Sequence, residues 1–123
     1  MYRHLLVGTD GSKTAAIAVD RAVEVARAVG ASLTIFTAGA PDRATRVVEE
    51  EAARHAGSGV KIDTETVDGD AASALIDRAE RGDIDLLVMG NKGMTGASRF
   101  LLGSVPNKVS HHAPVGVLIV RTT

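Results

Sequence analysis

Short apolar runs alternate with longer amphipathic stretches along the whole chain. Leu5-Leu6-Val7-Gly8 is continuous and apolar and ends in the turn cluster Thr9-Asp10-Gly11-Ser12, which predicts a strand buried on both faces. From Lys13 to Val29, the residues Ala15, Val19, Ala22, Ala26 and Val29 recur at helical spacing, with Asp20, Glu24 and Arg27 opposite. That pattern predicts an amphipathic helix, started by Ser12 as N-cap and stopped by Gly30. Ser32-Leu33-Thr34-Ile35-Phe36-Thr37 predicts a second strand, broken by Ala38-Gly39-Ala40-Pro41. A second helix is expected from about Asp42 to Ala56, with Ala44, Val47, Val48, Ala52 and Ala56 as its stripe and Glu49-Glu50-Glu51 as a solvated face.

The region from Val60 to Val67 alternates between Val60, Ile62, Thr64, Thr66 and Lys61, Asp63, Glu65, the mark of a half-exposed strand at a sheet edge. Asp70 caps a third helix with Ala72, Leu75, Ile76 and Ala79 as core and Gly82 as stop. Asp85-Leu86-Leu87-Val88-Met89-Gly90 is the fourth and most apolar strand. A short helix begins near Ser104, turns Val105 and Val109 inward, and tolerates Pro106 in its first turn. Val115 to Val120 closes the series. The order βαβαβαβαβ implies one domain over residues 1–123, with a parallel sheet and helices on both faces.

Composition narrows the chemistry. The 123 residues carry 14 Lys+Arg and 15 Asp+Glu, a formal net charge of −1. A nucleic-acid binder would show a basic excess, and the three aromatics Tyr2, Phe36 and Phe100 are too few for a base-stacking surface. Cysteine is absent, which removes disulfides, thiolate catalysis and Cys-based metal sites. No apolar run reaches the length of a membrane span and no signal-peptide pattern opens the chain, so a soluble, cytoplasmic protein is expected. With 19 Ala and 15 Val, the core is aliphatic and suits close packing of helices on buried strands.

In open α/β sheets, ligands bind beyond the carboxyl ends of the strands at the topological switch point. Two strand ends carry unusual residues: Gly8-Thr9-Asp10-Gly11-Ser12, and Gly90-Asn91-Lys92-Gly93 followed nine residues later by Gly103-Ser104. The 14 residues from Gly90 to Gly103 form the one long connection. Glycines permit close backbone approach, and Ser104 opens a helix whose amide and dipole favour an anion. Together these residues describe a cradle for phosphate oxygens. With 13 Gly and 17 Ser+Thr in the chain, three glycines and a Ser/Thr at these offsets arise by chance about 0.02 times.

Several residues keep two readings. Asp10 is either an Asx turn-cap or a ligand or metal contact. Lys92 and Arg99 are either phosphate contacts or solvated cations. His111 and His112 are adjacent on a helix and point about 100° apart, which does not suit one shared metal. His4 and His55 read as strand-start or surface groups.

The Gly90-x-x-Gly93-x9-Gly103-Ser104 pattern resembles the nucleotide signature of the universal stress protein family. So do the opening Leu6-Val7-Gly8-Thr9-Asp10-Gly11-Ser12 and the closing His112-Ala113-Pro114-Val115-x-Val117-Leu118-Ile119-Val120. The resemblance implies a Rossmann-like, adenine nucleotide alpha hydrolase-like α/β fold: a single-domain, open, parallel five-stranded sheet of order 3-2-1-4-5. It implies ATP, or another adenine nucleotide such as cAMP, together with Mg2+ or Mn2+. Gly90, Gly93, Gly103, Ser104 and Val105 would hold ribose and phosphates, and Asp10 with Gly8 and Thr9 would lie by the ribose or a phosphate-bound ion. Ala38 would meet the adenine edge and Met89 the base or ribose. Gly8 and Gly116 stand where relatives often carry proline, and the segment after the second strand is shorter than in many of them.

The resemblance further implies a stress-response regulatory protein that dimerises through Val115–Val120, with neither nucleic acid nor membrane as partner. Open alternatives are a cAMP-binding member, a weak ATPase, and a partner-binding member without nucleotide. An adenylyl-transfer enzyme would carry a His-x-Gly-His signature, which is absent. No Walker A sequence and no Gly-x-Ser-x-Gly elbow is present, so efficient hydrolysis is not expected.

Overall fold

The computed structural model describes residues 2–91 and 104–122. Its elements run β1 (His4–Gly8), α1 (Lys13–Val29), β2 (Ser32–Ala38), α2 (Pro41–Arg54), β3 (Ile62–Val67), α3 (Ala71–Glu80), β4 (Leu86–Gly90), α4 (Ser104–His112) and β5 (Gly116–Val120). The five strands form one sheet of order β3-β2-β1-β4-β5, and every pairing is parallel. Parallel strands need crossover helices, and these cover both faces. On one face Leu5, Val7, Leu33 and Ile35 pack with Ala18, Val19, Ala22 and Ala26 of α1 and Val48 of α2. On the other, Leu6, Phe36, Leu87 and Met89 pack with Ala72, Leu75 and Ala79 of α3 and Val105 and Val109 of α4.

The caps explain the cleanest boundaries. Ser12 accepts the Ala15 amide at 3.1 Å, and Gly30 closes α1 in the left-handed region at φ 73°. Asp70 accepts the Ser73 amide at 3.0 Å and starts α3. Elsewhere tertiary contacts override the local pattern. The strand does break after Ala38, but Pro41, expected to lie in that break, is already the first residue of α2, where a missing amide hydrogen costs nothing. Ala56 lies beyond that helix and is exposed, so it leaves the expected stripe.

Glu51 departs furthest from expectation. It is 7% exposed, because Arg54 donates to it through Nε and Nη2 while also reaching Asp20 of α1 at 2.9 Å. His55 joins the same carboxylate, Nε2 to Asp20 Oδ1 at 2.9 Å, and is therefore an α1–α2 tie rather than a free surface group. His4 does start β1, with Nε2 2.6 Å from the Thr34 hydroxyl. β3 is the expected edge strand, although Val60 lies outside it and only Ile62 and Glu65 are half-buried. Glu65 is drawn in by Arg78, a cation only 5% exposed that donates to Glu65 at 2.8 Å and to Asp83 at 2.6 Å.

Three carboxylates make the fold acid-sensitive. The amides of Arg3 and His4 both donate to Asp85 and hold its carboxyl below the usual range. Arg78 does the same for Asp83, and the Ser73 amide for Asp70. A carboxyl depressed in the folded state stabilises above its unfolded value and loses that contribution as pH falls through its folded value. The thermal midpoint should therefore be level above about pH 5 and fall below about pH 4. Asp85→Asn should flatten that fall, as read by thermal melts across the series; an identical acid limb in the variant would discard Asp85 as a contributor.

Candidate functional site

The strand order makes β1 and β4 neighbours whose following helices leave on opposite faces, so a crevice opens beyond their carboxyl ends. Val7 pairs with Val88 and Gly8 with Phe36, which places the ends of β2, β1 and β4 in one row. Gly8, Thr9, Asp10, Ala38, Met89 and Gly90 all belong to these three ends, and Ser104 and Val105 open α4. Gly93 and Gly103, with Lys92 and Arg99, lie outside the described residues.

Thr9 organises the first loop. It is fully buried; its amide donates to the Phe36 carbonyl at 3.0 Å, its carbonyl accepts the Thr37 hydroxyl at 2.9 Å, and its Oγ1 accepts the Gly11 amide at 3.1 Å. Asp10 Oδ1 accepts the Ser12 amide at 2.9 Å, the Asx arrangement that was one of its two readings. Its second oxygen has no protein donor among the described residues. Gly8 allows α3 to close on the loop: a Cβ there would stand 3.0 Å from Leu75 Cδ1.

The second strand end is held from behind. The Asn91 amide donates to the Val120 carbonyl at 2.9 Å, and Asn91 Oδ1 accepts both the amide and the hydroxyl of Thr122 at 3.0 Å. A Cβ on Gly90 would come 3.2 Å from Thr122 Cγ2, so a side chain at the end of β4 would press on this clasp. Val105 and Met89 are buried with α3 and α4; their side chains belong to the core and their backbone is what borders the crevice. Ser104 is exposed at the first position of α4.

Arg43, Thr37 and Thr122 were not among the site residues read from sequence, and Asn91 stood there only within the Gly90–Gly93 stretch, without a role of its own. Arg43 Nη2 donates to the Asp10 carbonyl at 2.8 Å. The signal for it was present: β2 and α2 are separated by Gly39 and Ala40 alone, so the first turn of α2 must sit at the rim. A separate groove of about 230 Å³ lies between β3 and α3, bordered by Phe36, Val67, Ala74 and Arg78. Its guanidinium is already engaged by Glu65 and Asp83. Among the described residues no three His, Cys, Asp or Glu side chains gather to hold a metal. No helix among them is long and apolar enough to cross a membrane.

An open, all-parallel five-stranded domain with glycine-bearing loops at its switch point belongs to the Rossmann-like class of α/β proteins. Within that class, residues 1–121 match the model of the universal stress protein family, and the chain is a member of it. Universal stress protein Rv1636 of Mycobacterium tuberculosis is 36% identical, covering 99% of this chain and 98% of the relative. Universal stress protein MJ0531 of Methanocaldococcus jannaschii is 30% identical, covering 98% and 83%. Among solved structures, a universal stress protein in complex with cAMP is 39% identical, with a TM-score of 0.85 over 99% of this chain and 98% of that one. The Rv1636 alignment runs over 144 positions against 123 residues here, so at least 21 positions of that relative face a gap in this chain.

Proposed function

We propose that the crevice binds an adenine nucleotide, ATP in the first instance, through Gly90-x-x-Gly93-x9-Gly103-Ser104, and that the chain acts as a homodimeric regulator in a stress response. The observation that carries this reading is the row of three strand ends with its two glycine-bearing loops, one of them leading to α4. Backbone amides at such a point favour phosphate oxygens. Gly8, Thr9 and Asp10 border the ribose side, and Ala38, half-buried at the end of β2, borders the base. The donor set fits a Mg2+ or Mn2+ ion brought by the nucleotide: one carboxylate, Asp10, with one unengaged oxygen, is what such an ion asks of a protein when phosphates supply its other ligands.

A second reading, cAMP as the ligand, is favoured by the cAMP complex of the 39% identical relative. Calorimetric titration with ATP, ADP, AMP and cAMP, with and without magnesium, separates the two. The first reading expects ATP to bind most tightly, with slow or no turnover. Tighter cAMP binding selects the second, and rapid ATP turnover would make the chain an enzyme instead. Gly103→Val should weaken the preferred ligand by about a hundredfold if the loop approaches phosphate through its backbone. Absence of binding by every nucleotide would leave a partner-binding protein.

A further inference from the structure

The two-residue connection between β2 and α2 does more than shorten the chain. It brings the first turn of α2 against the β1–α1 loop at two points. Arg43 Nη2 holds the Asp10 carbonyl at 2.8 Å, and Val47, one turn on, lies so close to Gly11 that a Cβ there would be 2.8 Å from Val47 Cγ2. Arg43 is nonetheless exposed. A neutral carbonyl occupies one of the five guanidinium donors, and no other bond of Arg43 exists among the described residues. The guanidinium thus stands as a cation beside the loop that carries the Asp10 carboxylate.

We propose that Arg43 is a specificity-determining residue of this crevice, a fixed cation that makes affinity rise with the number of phosphates on the bound nucleotide. The inference rests on the nucleotide reading above. Asp10 alone would repel a polyanion at close range; a guanidinium anchored on the same residue's carbonyl offsets that charge. Anchoring matters because a cation already held in place loses little freedom when the ligand arrives. Arg43 is a positioning residue as well, since its bond fixes the peptide between Asp10 and Gly11.

The two roles separate by ligand charge. AMP, ADP and ATP are titrated without metal into the parent chain, Arg43→Ala and Arg43→Lys, at low and high salt, with thermal melts confirming that each variant is folded. For Arg43→Ala the expected loss is about tenfold for ATP and within about twofold for AMP. The ATP loss should shrink at high salt, and Arg43→Lys should recover most of it. An equal loss for all three ligands would reduce Arg43 to a loop support and overturn the proposal, as would a variant that binds ATP like the parent. Failure of the parent chain to bind any of the three overturns the nucleotide reading, and this proposal with it.

Discussion

If the proposed dimer forms through β5, Val117→Lys is expected to sediment as a monomer at concentrations where the parent chain sediments as a dimer. β5 pairs with β4 alone among the described strands, leaving its outer backbone edge open. Val117, Leu118 and Ile119 are only half-buried, although each packs on one side against the core. An apolar edge strand without a lysine or an internal proline is a template for pairing, and two copies related by a two-fold axis can pair antiparallel through it. A lysine at 117 brings one ammonium per copy into that seam. With a desolvation cost of about 2 kcal/mol for each copy, the dimer dissociation constant rises by about a thousandfold. The monomer itself should stay folded, because at a half-exposed position the lysine stem covers apolar surface while its head stays in water. A folded variant that remains dimeric would move the interface off β5.

That edge was legible in the sequence because β5 differs from β3 in pattern: five uncharged residues against an alternation of Thr, Asp and Glu. α1 was legible to the residue because its ends carry caps that act locally, Ser12 and Gly30. α2 has no such cap; Ala40 makes no side-chain bond, and proline is ambiguous between ending one element and starting the next. Glu51 and Arg78 were illegible for another reason. Each is a charged residue in a polar stretch, and each is buried because a particular side chain neutralises its group: Arg54, itself tied to Asp20 of α1, meets Glu51 one turn away, and Glu65 meets Arg78 across 13 positions. Periodicity describes which face is apolar, not which charge has a partner.

The same division runs through the crevice. Alternating strands and helices gave a parallel sheet with ligand loops at its carboxyl ends, while the order 3-2-1-4-5 that brings Gly8–Ser12 beside the end of β4 came from the family resemblance. The Asn91–Thr122 clasp and the Arg43–Asp10 bond follow from side-chain reach, which depends on helix phase and loop length. Both concern how the loops are held, and neither alters where the loops are. The family pattern therefore located the crevice, while the shortened β2–α2 connection of this chain decides what borders it.

Gly11→Ala tests that border most directly and should cost about 3 kcal/mol of stability. Two separate strains add. Gly11 sits at φ 83°, a region that costs an L-residue about 1–2 kcal/mol, and the new methyl would meet Val47 Cγ2 at 2.8 Å, an overpacking that costs about 1–3 kcal/mol. The second strain is relieved when Val47 is shortened, whereas the first is not. In a Val47→Ala background, Gly11→Ala should therefore cost about 1–2 kcal/mol, and the double-mutant cycle should show a favourable coupling of similar size. Urea unfolding of the four proteins measures it. Equal costs in both backgrounds would mean that α2 does not press on the loop; no cost in either would mean that the loop does not adopt this turn. The single variant also distorts the peptide whose carbonyl Arg43 holds, so its nucleotide affinity should fall with its stability. The double variant, still strained in φ but free of the contact, should recover stability further than affinity, because Asp10 is positioned by the turn and not by the methyl groups behind it.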